Sequence, residues 1–256
     1  MATKKITKKS SKERAASIAA VKKNRARILG ADSPFAVKES YIQLRTNLLF
    51  SVAATETEGG KVFAVTSANP SEGKSTTASN IAVSFAMLGK STLLIDCDMR
   101  KPNVHKLWRI HGNNGMSNLL TGIDNCYVNE VEELPLSIIS AGDIPPNPSE
   151  LLASSKFEDV VTFLRNHFDY IIIDTPPVNQ VADAQIIAKN VDGVVLVVSS
   201  GKTQLGELAA AQKALDTSAG KICGFILNNV NHKKGGYSYR YGSKYANKYY
   251  YSNTEN

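Results

Sequence analysis

The run SANPSEGKSTT, residues 67–77, holds residue types suited to gripping a phosphate chain. It follows a short apolar run and opens a segment with helical character, the setting a phosphate-binding loop requires. Free N–H groups at a helix N-terminus point at an anion, and the helix dipole adds to the attraction. Gly73 permits close backbone approach, and the Lys74 ammonium reaches toward β- and γ-phosphates. The Ser75 hydroxyl is placed to ligate Mg²⁺, and Thr76 lies where an α-phosphate would be held. The predicted ATP-binding run is Glu72, Gly73, Lys74, Ser75 and Thr76. Against the pattern G-x-x-x-x-G-K-[ST], the first glycine position holds Ala68.

Two further apolar runs end in carboxylates. LLIDCDMRKP, residues 93–102, carries Asp96 and Asp98, and YIIIDTPP, residues 170–177, carries Asp174. Asp96 and Asp98 are spaced i, i+2, which in an extended chain puts both side chains on one side. Acidic groups beside a triphosphate need a cation between them. Mg²⁺ held among Ser75 and the three Asp is therefore expected.

These residues need a scaffold that brings strand ends together. Runs at 61–67, 91–97, 136–140, 170–175, 193–199 and 221–228 are short, apolar and rich in β-branched residues. Such runs suit strands covered on both faces. Helical segments are expected between them at 74–88, 149–166, 180–190 and 204–218. Alternation of this kind predicts an α/β fold, a P-loop NTPase with a mainly parallel sheet and helices on both faces. Ligands in such sheets bind at the carboxyl ends of the strands, where the loop and all three Asp fall. Residues 35–50 read as an amphipathic helix with Phe35, Val37, Tyr41, Leu44, Leu48 and Leu49 on one face. Asn228 and Asn229, after the last run, either seat an adenine or cap a turn.

Composition sets the ends of the chain apart. Of 256 residues, 43% are hydrophobic, enough for a real core. The net charge of +7 is uneven: +9 over residues 1–30, −6 over 31–232 and +4 over 233–256. The expected organisation is a basic arm (1–30), a P-loop domain (31–231) and a tail (232–256). Seven of ten tyrosines, Tyr237, Tyr239, Tyr241, Tyr245, Tyr249, Tyr250 and Tyr251, crowd into that tail. No aliphatic core-former accompanies them, so a flexible tail is predicted. Basic ends suit an anionic membrane surface, nucleic acid or an acidic partner, or are simply solvated tails. No nucleic-acid-binding motif is present, and nucleic acid is not an expected ligand. No apolar run approaches the roughly 18–20 residues that span a bilayer, and the N-terminus lacks a signal-peptide h-region. Cys97, Cys126 and Cys223 are too scattered for a disulfide framework, and the four histidines lack metal-ligand spacing. A reducing cytoplasm fits this usage.

Together, SANPSEGKST, LLIDCDMRKP and YIIIDTPPV resemble the Walker A, Walker A′ and Walker B motifs of bacterial tyrosine kinases. The similarity is to the cytoplasmic kinases of capsule and exopolysaccharide clusters in Gram-positive bacteria. It extends over about residues 35–251, including LRTNLLF, PPNPSELL and the tyrosine cluster. The resemblance implies ATP-dependent autophosphorylation of tail tyrosines between subunits. It implies Lys74, Asp96 and Asp98 as catalytic residues, with Asp96 activating the tyrosine hydroxyl. Asp98 and Asp174 would serve Mg²⁺, and Arg100 and Lys101 would contact a neighbour or phosphate. It also implies a membrane-bound polysaccharide co-polymerase as activator, a cognate tyrosine phosphatase and a location at the inner face of the cell membrane. Homo-oligomerisation is implied too. The family's E-x-x-R-x-x-R motif here reads Glu39, Ile42 and Arg45, with the middle arginine missing, which weakens the expectation of a ring. Two other readings share the fold or site. A partitioning ATPase would carry a signature lysine where Asn69 stands, and a non-catalytic ATP-gated scaffold would use the same binding residues.

Overall fold

The computed structural model describes residues 27–53, 57–122, 126–218 and 220–230. The tyrosines at 237–251 and most of the basic arm lie outside the described residues. In chain order the strands are β1 (Lys61–Ser67), β2 (Thr92–Asp96), β3 (Val128–Val131), β4 (Leu136–Ile139), β5 (Tyr170–Asp174), β6 (Gly193–Ser199) and β7 (Ile222–Asn228). The helices are α1 (Phe35–Val52), α2 (Lys74–Ala86), α3 (Val104–Trp108), α4 (Met116–Thr121), α5 (Pro148–Leu152), α6 (Ser155–Arg165), α7 (Asp183–Ala188) and α8 (Leu205–Thr217).

The strands form one sheet in the order β3-β4-β2-β5-β1-β6-β7. Every pairing is parallel except β3 with β4. The central strands are apolar without a break because alternate residues enter two cores. Val62, Ile95, Ile173 and Leu196 face α5, α6, α7 and α8. Phe63, Leu94, Ile172 and Val197 face α1 and α2. Helices thus cover both faces of a mostly parallel sheet, as the sequence predicts.

The departures are local. The single helix expected over 149–166 is two, α5 and α6. Ser154 is extended (φ −75°, ψ 151°), and its hydroxyl donates to the Leu151 carbonyl at 2.6 Å. That side-chain bond offers the backbone an alternative to continuing the helix. On α1, Leu48 is buried and Tyr41, Leu44 and Leu49 pack on the core. Phe35 and Val37, assigned to the same face, are 53% and 40% exposed. Strand β3 and helices α3 and α4 were not foreseen. Strand β3 (VNEV) is a half-exposed edge with weak apolar patterning, and α3 and α4 have only five and six residues.

Candidate active site

The site forms where β1, β2 and β5 end. Its floor is the loop from Ala68 to Gly73. Gly73 has φ 98°, a left-handed conformation natural to glycine. A Cβ there would stand 2.1 Å from Asn228 Nδ2. Asn228 donates that amide to the Glu72 carbonyl at 2.9 Å, so the end of β7 braces the loop from behind. Of the two sequence alternatives for Asn228, this geometry supports the turn-holding one. Asn229, at φ 58°, donates to Ser199 Oγ at 3.1 Å.

Glu72 is buried, and its carboxylate is turned into the protein. It accepts the Asn69 N–H at 3.0 Å and the Thr203 hydroxyl at 2.5 Å. What Glu72 presents to a ligand is therefore its backbone, while its side chain shapes the loop.

Gly73 caps α2, which opens with Lys74, Ser75 and Thr76. With the loop they line a cleft of about 440 Å³, whose other wall includes Asp98, Arg100, Lys101, Pro176 and Pro177. Lys74 Nζ lies 2.8 Å from Asp98 Oδ2 and 3.6 Å from Asp174 Oδ1. Burial works against its charge, but Asp174 and Asp98 outweigh that and hold its pKa above the ordinary value.

The two Walker A′ carboxylates do different things. Strand β2 ends at Asp96, so the extended geometry assumed for the i, i+2 pair stops there. Asp96 Oδ1 accepts the Asp98 N–H at 3.0 Å, and Oδ2 accepts the N–H groups of Asn103 at 3.1 Å and Val104 at 3.0 Å. Asp96 thereby ties the loop to the start of α3. Asp98 faces Lys74, and its Oδ1 accepts the Lys101 N–H at 3.0 Å. Full burial, then the charge of Asp174, push the Asp96 carboxyl up to about 8, against the pull of the Val104 N–H and Lys74.

Asp174 is likewise fully buried, and burial raises its pKa against the opposing charge of Lys74. Lys74 pairs with it at 3.6 Å and the Ser75 hydroxyl also favours its charged form, but neither carboxyl oxygen makes a close hydrogen bond among the described residues. A buried carboxylate left in that condition is costly unless something further binds it. A hard cation with oxygen ligands suits the set Ser75, Asp98 and Asp174. The residues thus fit Mg²⁺.

Asp183 and Thr203 escaped the sequence reading, as did the inward hydrogen bonds of Arg100 and Arg45. Arg100 donates through Nε and Nη2 to both oxygens of fully buried Asp183, at 2.8 and 3.2 Å. Ser149 Oγ accepts from Arg100 at 2.8 Å and donates to Asp183 at 2.5 Å. Arg100 is thus committed inward, anchoring the loop that carries Asp98. On α1, Arg45 Nη1 donates to the Ser84 carbonyl and hydroxyl at 2.5 and 3.4 Å, while Glu39 is half-buried. The only hint of Asp183 was its acidic character near a helix start, and Thr203 gave none.

A phosphate loop at the end of β1, two carboxylate-bearing strands beside it and helices on both sheet faces define a P-loop NTPase. In agreement, residues 60–206 match the family model described as an AAA domain. The chain is 41% identical over 211 residues to the putative tyrosine-protein kinase CapB of Staphylococcus aureus, covering 80% of this chain and 90% of CapB. Among solved structures, the chimerical protein CapA2B2 matches at 36% identity and TM-score 0.70, covering 78% of this chain and 86% of that one. The kinase domain of the Escherichia coli tyrosine kinase ETK matches at 31% identity and TM-score 0.72, covering 77% of each chain. The chain belongs to the bacterial tyrosine kinase family.

Proposed function

We propose that this kinase transfers the γ-phosphoryl group of ATP to tyrosines of its own tail, Tyr237 to Tyr251, on an adjacent subunit. Asp174 carries the reading. This fully buried carboxylate is met by the phosphate-loop lysine at 3.6 Å and by the Ser75 hydroxyl, which leaves its oxygens short of close hydrogen bonds among the described residues. Its burial makes sense in a site completed by a metal-bound nucleotide.

The residues divide the work. Gly73, Lys74, Ser75 and Thr76 hold the phosphate chain by backbone N–H groups, one ammonium and two hydroxyls. Ser75, Asp98 and Asp174 would hold Mg²⁺, which supplies neutralisation of β- and γ-phosphate charge when bound. Asp96 in its deprotonated form takes the phenolic proton as the tyrosine oxygen bonds to phosphorus and the bond to ADP breaks, and its burial beside Asp174 raises its proton affinity for that role. Three N–H groups hold Asp96, which is fully buried behind the cleft lining, and of the roughly four acceptor sites of a carboxylate the fourth would meet a phenol that reaches it.

The capsule and exopolysaccharide role, and activation by a membrane-bound co-polymerase, rest on likeness to CapB and to the CapA2B2 chimera. The activator would hold the kinase at the membrane's inner face; no helix among the described residues is long and apolar enough to cross a membrane. A cognate tyrosine phosphatase would reverse the reaction. Each phosphotyrosine adds about −1.5 to −2 charges, so several would overturn the tail's +4 and loosen a homo-oligomer.

Transfer between subunits is tested by mixing two variants. One is active but has phenylalanine at all seven tail tyrosines, and the other is Lys74→Met with the tail intact. Phosphotyrosine on the Lys74→Met chain is expected; its absence, with wild-type protein labelling itself, would contradict transfer in trans.

A further inference from the structure

We propose that Arg27 is a further nucleotide-binding residue, reaching the phosphate chain from the cleft wall, and that Asn80 is its positioning residue. The inference rests on the cleft being the ATP site.

Arg27 lines the same cleft as Gly73, Lys74, Ser75 and Thr76. The other cations there differ in availability. Lys74 is shared between Asp98 and Asp174, and Arg100 is forked onto Asp183. Among the described residues, Arg27 and Lys101 are the cleft cations without a carboxylate partner. Of these, Lys101 sits on the loop whose shape Asp98 sets through its N–H. Arg27 is an exposed guanidinium whose five donors suit phosphate oxygens.

The chain around Arg27 is held deliberately. Asn80 lies near the middle of α2 and is only 4% exposed. Its Oδ1 accepts the Leu29 N–H at 2.8 Å, and its Nδ2 donates to the Arg27 carbonyl at 3.0 Å and the Tyr41 hydroxyl at 3.1 Å. One side chain thus grips the backbone on both sides of Ile28. Leu29, 7% exposed, packs into the core beside α2 and completes the anchor. The helix that presents Lys74, Ser75 and Thr76 therefore also sets where Arg27 stands. A buried amide with its bonds made rigidifies such a junction.

The test is the Kd for Mg-ATP of the full chain, by equilibrium binding, with thermal melts alongside. Wild type, Lys74→Met, Arg27→Ala, Arg27→Lys, Asn80→Ala and the Arg27→Ala/Asn80→Ala double variant are compared. Losing a charge-assisted phosphate contact should raise Kd about tenfold in Arg27→Ala with an unchanged melt, and less in Arg27→Lys, which keeps the charge. Asn80→Ala should weaken binding too, and the double variant should lose no more than Arg27→Ala alone, because Asn80 acts through Arg27. Lys74-dependent binding that Arg27→Ala leaves within about twofold of wild type would overturn the inference alone. Full additivity in the double variant would remove Asn80's positioning role. Wild-type protein that binds no Mg-ATP would overturn the ATP-site reading itself.

Discussion

Asp96 and Asp174 are register partners at the carboxyl ends of β2 and β5, side by side on adjacent parallel strands and both fully buried. Neighbouring strands lie about 4.8 Å apart, so burial and mutual repulsion both disfavour two charges there. In the nucleotide-free protein the pair consequently holds on to protons that the unfolded chain releases.

A raised carboxyl pKa means that the folded state binds more protons than the unfolded state between the two values. Stability is full below about pH 4, the unfolded value, and is lost as pH rises toward about 8. Asp174→Asn removes one of the two charges. It should flatten this decline and stabilise the nucleotide-free protein at pH 8 by about 1 kcal/mol, or roughly 2–4 °C in Tm. The same variant should lose Mg²⁺-dependent ATP binding. Thermal melts from pH 5 to 8.5 check the first claim, and a fall in Tm at pH 8 would contradict it.

Gly73→Ala imposes two penalties, a φ of 98° and a Cβ 2.1 Å from Asn228 Nδ2. A loss of about 1–3 kcal/mol in urea unfolding is expected, with weaker ATP binding. Adding Asn228→Ala should relieve the clash and recover part of the stability but not the backbone strain. Wild-type stability in Gly73→Ala would show that the loop is not held as described.

Arg100→Ala strands the fully buried carboxylate of Asp183 without its cation. Part of the arginine is exposed, so a cost of about 2–3 kcal/mol is expected, below the largest values for buried pairs. Asp183→Asn in the same chain should restore most of it. A double-mutant cycle measures the coupling, and independent, additive losses would refute the brace.

Glu72→Ala should leave the global fold intact and weaken ATP binding about tenfold, because the Asn69 N–H and Thr203 hydroxyl lose their acceptor. Thr203→Val should produce a smaller effect in the same direction. Binding isotherms for both variants decide this, and equal affinity to wild type would show that Glu72 does not shape the loop.

The parts of the site legible in the sequence are those encoded locally. Each central strand is a short apolar run, Asp96 and Asp174 end two of them, and Lys74 follows another by one loop. The braces were not legible because they join distant residues: Arg100 meets Asp183 across 83 positions, and Glu72 meets Thr203 across 131. No local pattern announces such pairs. Direction was equally hidden. Glu72 sits inside the phosphate loop by position, yet only the fold shows its carboxylate turned away from the cleft. Arg45 belongs by spacing to an assembly motif, yet its guanidinium is directed at Ser84. The helix break at Ser154 turns on one hydroxyl finding the Leu151 carbonyl, a choice that helix propensity does not reveal.

The central claim is that this site phosphorylates the tyrosine-rich tail. Phosphopeptide mapping after incubation with Mg-ATP tests it most directly. It is run with and without the cytoplasmic segment of the membrane activator, beside Lys74→Met. The account predicts phosphate on tyrosines between 237 and 251, increased by the activator segment and absent from Lys74→Met. ATP turnover without phosphotyrosine, even with the activator present, would contradict it.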